Sequence, residues 1–325
     1  MSSGPGPDAR GGPRHVWIDG HVVAADRPHL SVFDRGFQLG DGVFETLRVR
    51  SSRPTELAEH AARLRRSATG LHIELPDDIE ARLAAGIEAL LAAEGLDGPS
   101  GDASVRVTVT RGAFRARGLL PPDEDVPPTI AIQAWPVPPP PSGHLERGLR
   151  LVASAVRRDP ANPLVTLKTT SRADYVYARL EARRAGADDA LFLTIDGHLS
   201  EGTSANIFLV RRSAADRASE LATPSLACAI LPGTTRSWLL GWAAGVGLRP
   251  VEDRLTPDDL ATADEAFLSS SVAGVLPVTS FDGEPIGDGS PGPWTLRARA
   301  DREAMIASGH EEASDDATGE KAGGR

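Results

Sequence analysis

The sequence has 325 residues, too many for one small core, and its 40% hydrophobic and 25% charged residues are typical of a globular protein of two domains. The net charge of −10 argues against a general nucleic-acid-binding protein, and no apolar run approaches the roughly 20 residues of a membrane-spanning helix. A single cysteine excludes an internal disulfide and, with no apolar secretory segment at the N-terminus, predicts a cytoplasmic location. The eight histidines are scattered, so we expect no metal site.

The first half of the chain reads as a small domain of strands and helices. Residues 1–13 are rich in glycine and proline and are predicted to be a disordered tail, so this domain should span residues 14–135. Two strands about an Asp-Gly turn are followed by a glycine-containing loop, HLSVFDRGFQLGDG, and then by the alternating strand VFETLRVR. Apolar residues at helical spacing predict helices over about residues 57–69 and from near residue 76. The segments SVRVTVT and TIAIQAW read as two further strands.

The second half begins after a run of prolines. Residues 136–143, PVPPPPSG, are predicted to be a stiff interdomain linker, with a proline-rich docking ligand as the alternative. The second domain should span residues 144–307, and the polar residues 308–325 are predicted to be a disordered tail. The strands are predicted in GLRLVASAV, LVTL, DALFLTI, SANIFLV, AFLSSS and LPVTSF, and the helices over residues 172–185, 234–245 and 294–307. Strands and helices do not follow a strict βαβ order, so we expect two α+β halves and not a doubly wound sheet.

Lysine is almost absent from this chain. The 35 basic residues include two lysines, Lys168 and Lys321, which leaves 33 arginines, and Lys321 lies in the polar C-terminal tail. Arginine can supply a surface charge, but unlike lysine it does not lose its proton and attack a carbonyl carbon. A lysine kept at the end of the apolar run LVTL therefore indicates Schiff-base chemistry with an aldehyde or ketone, of which pyridoxal 5′-phosphate (PLP) is the usual one. A surface lysine left over in an arginine-biased composition is the alternative.

A carboxylate candidate follows in the segment LSEGTSAN. A carboxylate beside the pyridine nitrogen of PLP keeps that nitrogen protonated, and the protonated ring then accepts electrons from the reacting carbon. Glu201, followed by Gly202 and by small polar residues that permit close approach, fits that position. An exposed loop glutamate is the alternative.

A phosphate site is indicated by the segment LPGTTR. Gly233 precedes a predicted helix whose first residues are Thr234 and Thr235, and a helix start binds phosphate through its free N–H groups and its dipole. An ordinary threonine-capped helix is the alternative. Arg63, on the first predicted helix, could supply a guanidinium to the same phosphate. Further hydroxyl groups could come from Ser270 and Ser271.

The loop TRGAFRARG concentrates positive charge in an acidic protein. Its three arginines, Arg111, Arg115 and Arg117, could bind the carboxylates of a substrate, because a guanidinium forms paired hydrogen bonds with a carboxylate. A solvated basic loop is the alternative. Other catalytic patterns, among them the nucleophile elbow, the P-loop and the dinucleotide-binding fingerprint, are absent from the sequence.

Taken in order, these segments resemble those of the class-IV aminotransferases, which are PLP enzymes of fold type IV. The resemblance rests on DRGFQLGDGVFETLRV, EHAARL, TRG, LKTTS, GADDALFLTIDGHLSEGTSANIF, LPGTTR and SSSVAGVLPV, and it runs from about His15 to Ala300. It implies a smaller N-terminal α/β domain and a larger C-terminal PLP-binding domain with a mixed, barrel-like sheet. It also implies a homodimer in which the neighbouring subunit completes an active site between the domains.

The resemblance also implies a role for individual residues. Lys168 resembles the Schiff-base lysine, which acts as a general base once it is released, and Glu201 resembles the partner of the pyridine nitrogen. The phosphate-binding positions of the family match Arg63, Thr234, Thr235 and Ser271. The chain departs from the branched-chain enzymes after the lysine: they commonly carry Asn-Tyr where this chain has Arg172 and Ala173, and Tyr175 is out of register.

Two reactions of the family are open to this chain. Thr46 stands where 4-amino-4-deoxychorismate lyases resemble one another in carrying threonine, and the loop TRGAFRARG is similar to their Arg-Gly loop. These two features favour the lyase, which expels pyruvate and yields 4-aminobenzoate, with Thr46 and the loop arginines as substrate-binding residues. The alternative is an aminotransferase for branched-chain or D-amino acids with 2-oxoglutarate. Under either reading the partner is a small amino substrate.

Overall fold

The fold comes from a computed structural model, which describes residues 12–27, 29–115, 117–121, 126–137, 139–141, 143–213 and 218–309. The two tails predicted to be disordered, apart from residues 12, 13, 308 and 309, lie outside the described residues. None of the helices in these ranges is long and apolar enough to cross a membrane.

The first half forms one antiparallel sheet with two long helices on one face. The strand order is β2-β1-β6-β5-β3-β4. The strands are β1 His15–Ile18, β2 His21–Ala24, β3 Gly42–Arg50, β4 Arg53–Pro54, β5 Asp102–Thr110 and β6 Thr129–Pro136. The helices are α1 Arg35–Leu39, α2 Leu57–Gly70 and α3 Ile79–Glu94.

Strand β5 shows why this sheet has two different faces. Its residues alternate, so that Val105, Val107 and Val109 are buried in a core shared with α2 and α3. The intervening residues, Ser104 and Arg106, point to the opposite face and line a cavity there. The face that is not covered by helices therefore becomes a wall of the candidate site.

The second half forms a nine-stranded mixed sheet. The strands are β7 Leu149–Arg158, β8 Asp189–Thr194, β9 Leu199–Gly202, β10 Asn206–Arg212, β11 Ser219–Pro224, β12 Arg249–Asp253, β13 Glu265–Ser270, β14 Gly274–Phe281 and β15 Glu284–Pro285. The helices are α4 Ala173–Arg184, α5 Thr234–Val246, α6 Pro257–Ala261 and α7 Pro293–Ser308.

Six of these strands close into a barrel. The order β10-β13-β14-β7-β8-β9 returns to its start because Glu201 on β9 pairs with Asn206 on β10. The pairs β7–β14 and β7–β8 are parallel and the other four pairs are antiparallel. Buried aliphatic side chains such as Leu191, Ile207 and Leu268 form a core within this sheet. The expected α+β fold, with a mixed, barrel-like second sheet, is confirmed.

The segment that carries Lys168 is a turn, so the prediction of a strand at LVTL was wrong. Strand β3 is hydrogen-bonded to β5 along one edge, and β4 covers only the far end of its other edge. The free part of that edge binds the lysine segment: Phe44 N donates to the Lys168 carbonyl at 2.9 Å and Thr170 N donates to the Gly42 carbonyl at 2.8 Å. Too few residues pair there to make a strand, but the lysine backbone is fixed to the first sheet.

The glycine-containing loop before β3 holds the short helix α1, which the sequence pattern did not predict. The Asp34 side chain accepts hydrogen bonds from Gly36 N and Phe37 N, and Gly40 ends the helix with a φ of 67°. The linker predicted at residues 136–143 stays a prediction, since Pro136 is the last residue of β6 and residues 138 and 142 lie outside the described ranges.

Candidate active site

A cavity of about 430 Å³ lies between the open face of the first sheet and the barrel. The first sheet contributes Phe44, Thr46 and Arg106 to its wall, and the barrel side contributes the ends of β9 and β13 and the start of α5. The predicted site residues that line this cavity are Thr46, Arg63, Lys168, Glu201, Gly233, Thr234, Thr235, Ser270 and Ser271. Residues from both halves of the chain thus meet in one space.

The Lys168 side chain enters this cavity from its turn. Its backbone N–H donates to Ser67 Oγ at 3.1 Å, and its Nζ atom lies 4.6 Å from the centroid of the Phe44 ring. Burial, assisted by the positive charge of Arg63, lowers the pKa of Lys168 from 10.5 to about 8. Near pH 8 a large fraction of this amine is therefore neutral, which is the form that acts as a nucleophile or as a base.

Glu201 is buried at the barrel closure with hydrogen-bond donors on both carboxylate oxygens. Leu231 N donates to Oε2 at 2.9 Å, while Arg158 and the Tyr175 hydroxyl donate to Oε1 at 3.1 and 3.3 Å. Burial and the negative charge of Glu201 raise the pKa of Tyr175 to about 12, so the phenol stays a donor. Tyr175, although out of register with the family tyrosine, reaches the site from the first turn of α4.

The start of α5 forms one end of the cavity. Gly233 is the N-cap residue and has no side-chain hydrogen bond to the helix, so the first N–H groups of α5 are left for another acceptor. The Thr234 hydroxyl lies 3.2 Å from Ser271 Oγ and 3.4 Å from His60 Nε2. A Cβ atom at Gly233 would lie 2.2 Å from Asn206 Oδ1, so the close contact of α5 with β10 requires glycine.

Arg63 is tied to a buried glutamate. Its Nε and Nη2 atoms donate to the two oxygens of Glu45 at 2.8 and 2.6 Å, and its Nη1 atom donates to the Pro232 carbonyl at 3.0 Å. Burial alone would raise the pKa of Glu45, but Arg63 and then His60 outweigh it and lower that pKa to about 2. Glu45 and His60 were not predicted; the spacing of His60 and Arg63, three residues apart on one helix, was an available signal.

The three arginines of the TRGAFRARG loop lie apart from the cavity. Arg111 binds both oxygens of Asp41, at 2.8 and 3.0 Å, and the carbonyls of Leu71 and His72. Arg115 and Arg117 are exposed, and the Arg115 guanidinium lies 5.9 Å from the centroid of the Phe33 ring. The structure of this one chain therefore does not bring these arginines together with Lys168.

Two other arginines, which were not predicted as substrate-binding residues, do line the cavity. The Arg106 guanidinium lies 3.9 Å from the centroid of the Phe44 ring, and the Arg172 guanidinium lies 5.6 Å from it. Arg172 also stacks on the Tyr175 ring and donates to the Thr203 carbonyl at 3.0 Å. Burial and the nearby charge of Arg172 lower the pKa of Arg106. Arg106 was available from the sequence as a polar residue on the outward face of β5.

The donors and acceptors around the cavity fit PLP. The amine of Lys168 matches the aldehyde, Glu201 matches the pyridine nitrogen, and the start of α5 with its hydroxyl groups matches the phosphate. The volume of about 430 Å³ is in the range of small-molecule pockets.

Comparisons with known proteins agree with this geometry. Residues 42–281 match the family described as amino-transferase class IV. The "Putative branched-chain-amino-acid aminotransferase" of Methanocaldococcus jannaschii is 34% identical over 285 residues, 87% of this chain and 93% of that protein. The aminodeoxychorismate lyase of Bacillus subtilis is 28% identical over 267 residues, 82% of this chain and 86% of that protein. The crystal structure of a T.th. branched-chain amino acid aminotransferase with pyridoxamine 5′-phosphate superposes with a TM-score of 0.82 at 28% identity, covering 93% of this chain and 96% of that chain. The chain therefore belongs to the class-IV aminotransferase family, the PLP-dependent enzymes of fold type IV.

Proposed function

We propose that the protein is an aminotransferase that moves an amino group between an amino acid, of the branched-chain class, and a 2-oxo acid. The observation that carries this proposal is the amine of Lys168, set in a cavity with Glu201 at one side and the start of α5 at another. Similarity to proteins named as branched-chain aminotransferases supports the choice of amino donor.

Different residues around the cavity would bind the phosphate, bind the pyridine nitrogen and move the proton. The Thr234, Thr235 and Ser271 hydroxyls and the N–H groups of α5 would hold the phosphate, and Glu201 would hold the pyridine nitrogen. PLP, when bound, supplies an aldehyde that captures the substrate's amino group and a ring that accepts electrons. The neutral Nζ of Lys168 would remove the proton from Cα of the substrate, since its lowered pKa places it near the working pH.

Arg106 and Arg172 are the groups that would bind substrate carboxylates. Neither guanidinium hydrogen-bonds to an Asp or Glu side chain within the described ranges, although both line the cavity. A guanidinium without a carboxylate partner in an enclosed site attracts an anionic ligand. The Phe44 ring, whose centroid lies 3.9 Å from the Arg106 guanidinium and 4.6 Å from Lys168 Nζ, would contact the aliphatic part of the substrate.

The lyase that the sequence features favoured is the second candidate, because two guanidinium groups also suit a substrate with two carboxylates. Thr46, on which that reading partly rests, lines the cavity. The relatives favour the aminotransferase: identity is 34% to the archaeal relative named above and 28% to the lyase. We therefore propose the transamination first.

One assay separates the two reactions. Purified holoprotein is given an L- or D-branched-chain amino acid with 2-oxoglutarate in one sample and aminodeoxychorismate in another. Formation of glutamate and the branched-chain 2-oxo acid, without release of pyruvate from aminodeoxychorismate, is the expected result. Release of pyruvate without transamination would replace this proposal by the lyase. The two enantiomers are compared in parallel, and the faster one defines the stereochemistry.

The proposal includes a homodimer. The loop that carries Leu119 and Leu120, which are 81% and 85% exposed, is held to α1 by Arg35, whose guanidinium donates to the carbonyls of Gly118 and Leu119. Phe37, on α1, is 73% exposed. Large apolar side chains exposed close together favour contact with another protein surface. A second copy of the chain would cover them, and the exposed Arg115 and Arg117 lie in the same loop.

A further inference from the structure

The last helix, α7, contacts the start of α5. That end of the cavity is called the phosphate end, because the phosphate is proposed to bind there. Its Arg302 is completely buried, and it is the largest side chain buried to this degree within the described ranges. Burial of an arginine is costly unless its charge and its N–H groups are paired. The partners of Arg302 therefore indicate what this side chain is for.

Arg302 joins the start of α2 to the start of α5. Its Nη1 atom donates to Glu56 Oε1 at 2.6 Å, and its Nη2 atom donates to Thr235 Oγ1 at 3.4 Å. Its guanidinium lies 5.2 Å from the centroid of the Trp238 ring. Glu56 thus neutralises the charge of Arg302, and the second partner, Thr235, is a residue that lines the cavity.

Glu56 connects the same cluster to the neighbouring threonine. It precedes α2 with a φ of 55°, a left-handed conformation that is uncommon for a residue other than glycine. Burial would raise the pKa of Glu56, but the hydrogen bond and charge of Arg302, followed by a hydrogen bond from Thr234, lower it. Both threonines at the start of α5 are therefore held by one buried ion pair.

A second arginine of α7 contacts the segment that follows Ser271. Arg299 donates to the carbonyl of Ala273 at 3.3 Å, in the turn that follows Ser270, and to the carbonyl of Val275 at 2.8 Å, near the start of β14. Helix α7 thereby sets the position of the start of α5 and of the serine turn together.

The direction of the hydrogen bond to Thr235 has a consequence for the cavity. The hydroxyl oxygen accepts from Arg302, and a hydroxyl group has one proton to donate. Because Thr235 Oγ1 accepts from Arg302, its own proton stays available for an acceptor in the cavity that the residue lines. A hydroxyl with its proton available in this way is a ready donor to an anion.

We propose that Arg302 is a positioning residue that orients Thr235 toward the cofactor's phosphate, so that α7 sets how strongly the site prefers a phosphorylated ligand. This inference rests on the proposed placement of the phosphate at the start of α5. Its specific consequence is that loss of Arg302 weakens recognition of the phosphate and leaves recognition of the aldehyde and the ring unchanged.

The test compares two ligands that differ only in the phosphate. Dissociation constants for PLP and for pyridoxal are measured by absorbance titration of the full-length protein after removal of cofactor. Arg302→Met and Arg302→Lys are compared with Arg297→Met, which removes an exposed arginine of the same helix. We expect Arg302→Met to weaken PLP binding about 10- to 100-fold, the usual effect of losing a hydrogen bond to a charged group, and to leave pyridoxal binding unchanged.

The outcomes are distinguishable. If Arg302→Met binds PLP as the wild type does, or loses PLP and pyridoxal affinity equally, the positioning role is refuted. Should that variant fail to fold, Arg302→Lys, which keeps the charge beside Glu56 but lacks the second N–H arm, must show the same selective loss. Thr235→Val must lower the preference for PLP over pyridoxal by a similar factor, and adding Arg302→Lys to Thr235→Val must cause no further loss. A wild type that does not prefer PLP to pyridoxal would instead contradict the proposed phosphate site.

Discussion

At the scale of single residues, the proposed chemistry depends on the ionisation of one amine. The chain has two lysines, and Lys168 is the one within the described ranges. The turn that carries it is bound to the free edge of β3, while its side chain meets Phe44 and lies in the field of Arg63 and Arg172. Desolvation and nearby positive charge act in the same direction, toward the neutral amine.

We expect Lys168→Ala to abolish the trapping of PLP by borohydride and to lower turnover by at least about 10²-fold, because both need the Nζ atom. Mass spectrometry of the reduced protein measures the trapping. Lys321→Ala, which removes the other lysine, should retain full trapping. Trapping that persists in Lys168→Ala would show that another amine carries the cofactor.

The lowered pKa also makes a prediction for the protein without cofactor. The rate at which an amine-reactive reagent labels Lys168 follows the neutral fraction of the amine. We expect that rate to rise with pH through a midpoint near 8, well below the ordinary 10.5. Peptide mapping after labelling at a series of pH values measures it. A midpoint near 10.5 would mean that Lys168 is solvated like a surface lysine.

At the scale of elements, the start of α5 must lie close to β10. A methyl group at Gly233 would meet Asn206 Oδ1 at 2.2 Å, so we expect Gly233→Ala to displace the first turn of α5 and weaken PLP binding about 10-fold or more. Gly241→Ala, on the same helix but with no atom within 4 Å of the added carbon, is the control. It should keep the PLP affinity of the wild type and gain up to about 1 kcal/mol of unfolding free energy. Equal PLP affinity in both variants would contradict the close contact.

The junction of β3 with α2 depends on the pair of Glu45 and Arg63. The folded protein lowers the pKa of Glu45 from 4.5 to about 2, so the pair stabilises the fold above about pH 4.5, and this stabilisation is lost as the pH falls toward 2. Glu45→Gln leaves Arg63 buried without its carboxylate and should lower the unfolding free energy at pH 7 by about 3–5 kcal/mol. The loss should shrink as the pH falls. Urea unfolding from pH 7 to 3 measures it, with the exposed Glu59→Gln as control; a loss that does not change with pH would exclude this ionic origin.

At the scale of the whole molecule, the cavity exists only because two sheets distant in sequence face each other. The ion pair of Arg48 and Glu303, at 2.7 Å, ties β3 to α7 and thus the first sheet to the last helix. The apolar side chains of Phe37 on α1 and of Leu119 and Leu120 in the adjacent loop are exposed in the single chain. Their exposure is the basis for the proposed dimer.

We expect Phe37→Asp combined with Leu120→Asp to dissociate the proposed dimer, since each subunit would bury two charges without partners in its interface. Analytical ultracentrifugation measures the mass. Ile195→Asp, which changes another exposed apolar residue in the turn between β8 and β9, is the control and should leave the mass unchanged. A wild type that sediments as a monomer of 34.2 kDa would disprove the proposed dimer.

Much of the fold was predictable because its signals are local. The alternation of β3 and β5 and the apolar spacing of α2 and α3 follow from the periods of strand and helix. The turn at LVTL was misread because its apolar residues look like a strand. Its true conformation depends on how much of the edge of β3 is free, which is a property of the assembled sheet.

The candidate site, like the fold, was predicted from the sequence only in part. The rarity of lysine, the LPGTTR helix start and the acid in LSEG are features of the sequence, and the residues they single out, Lys168, Glu201 and the first residues of α5, line one cavity. Which arginines stay available for a substrate carboxylate was decided by tertiary structure. Arg111 is taken up by Asp41, whereas Arg106 and Arg172 stay free of carboxylate partners in the described part of the chain, and these pairings join residues far apart in sequence. Residue type determines which chemistry is available, but a guanidinium binds whichever carboxylate the fold places beside it.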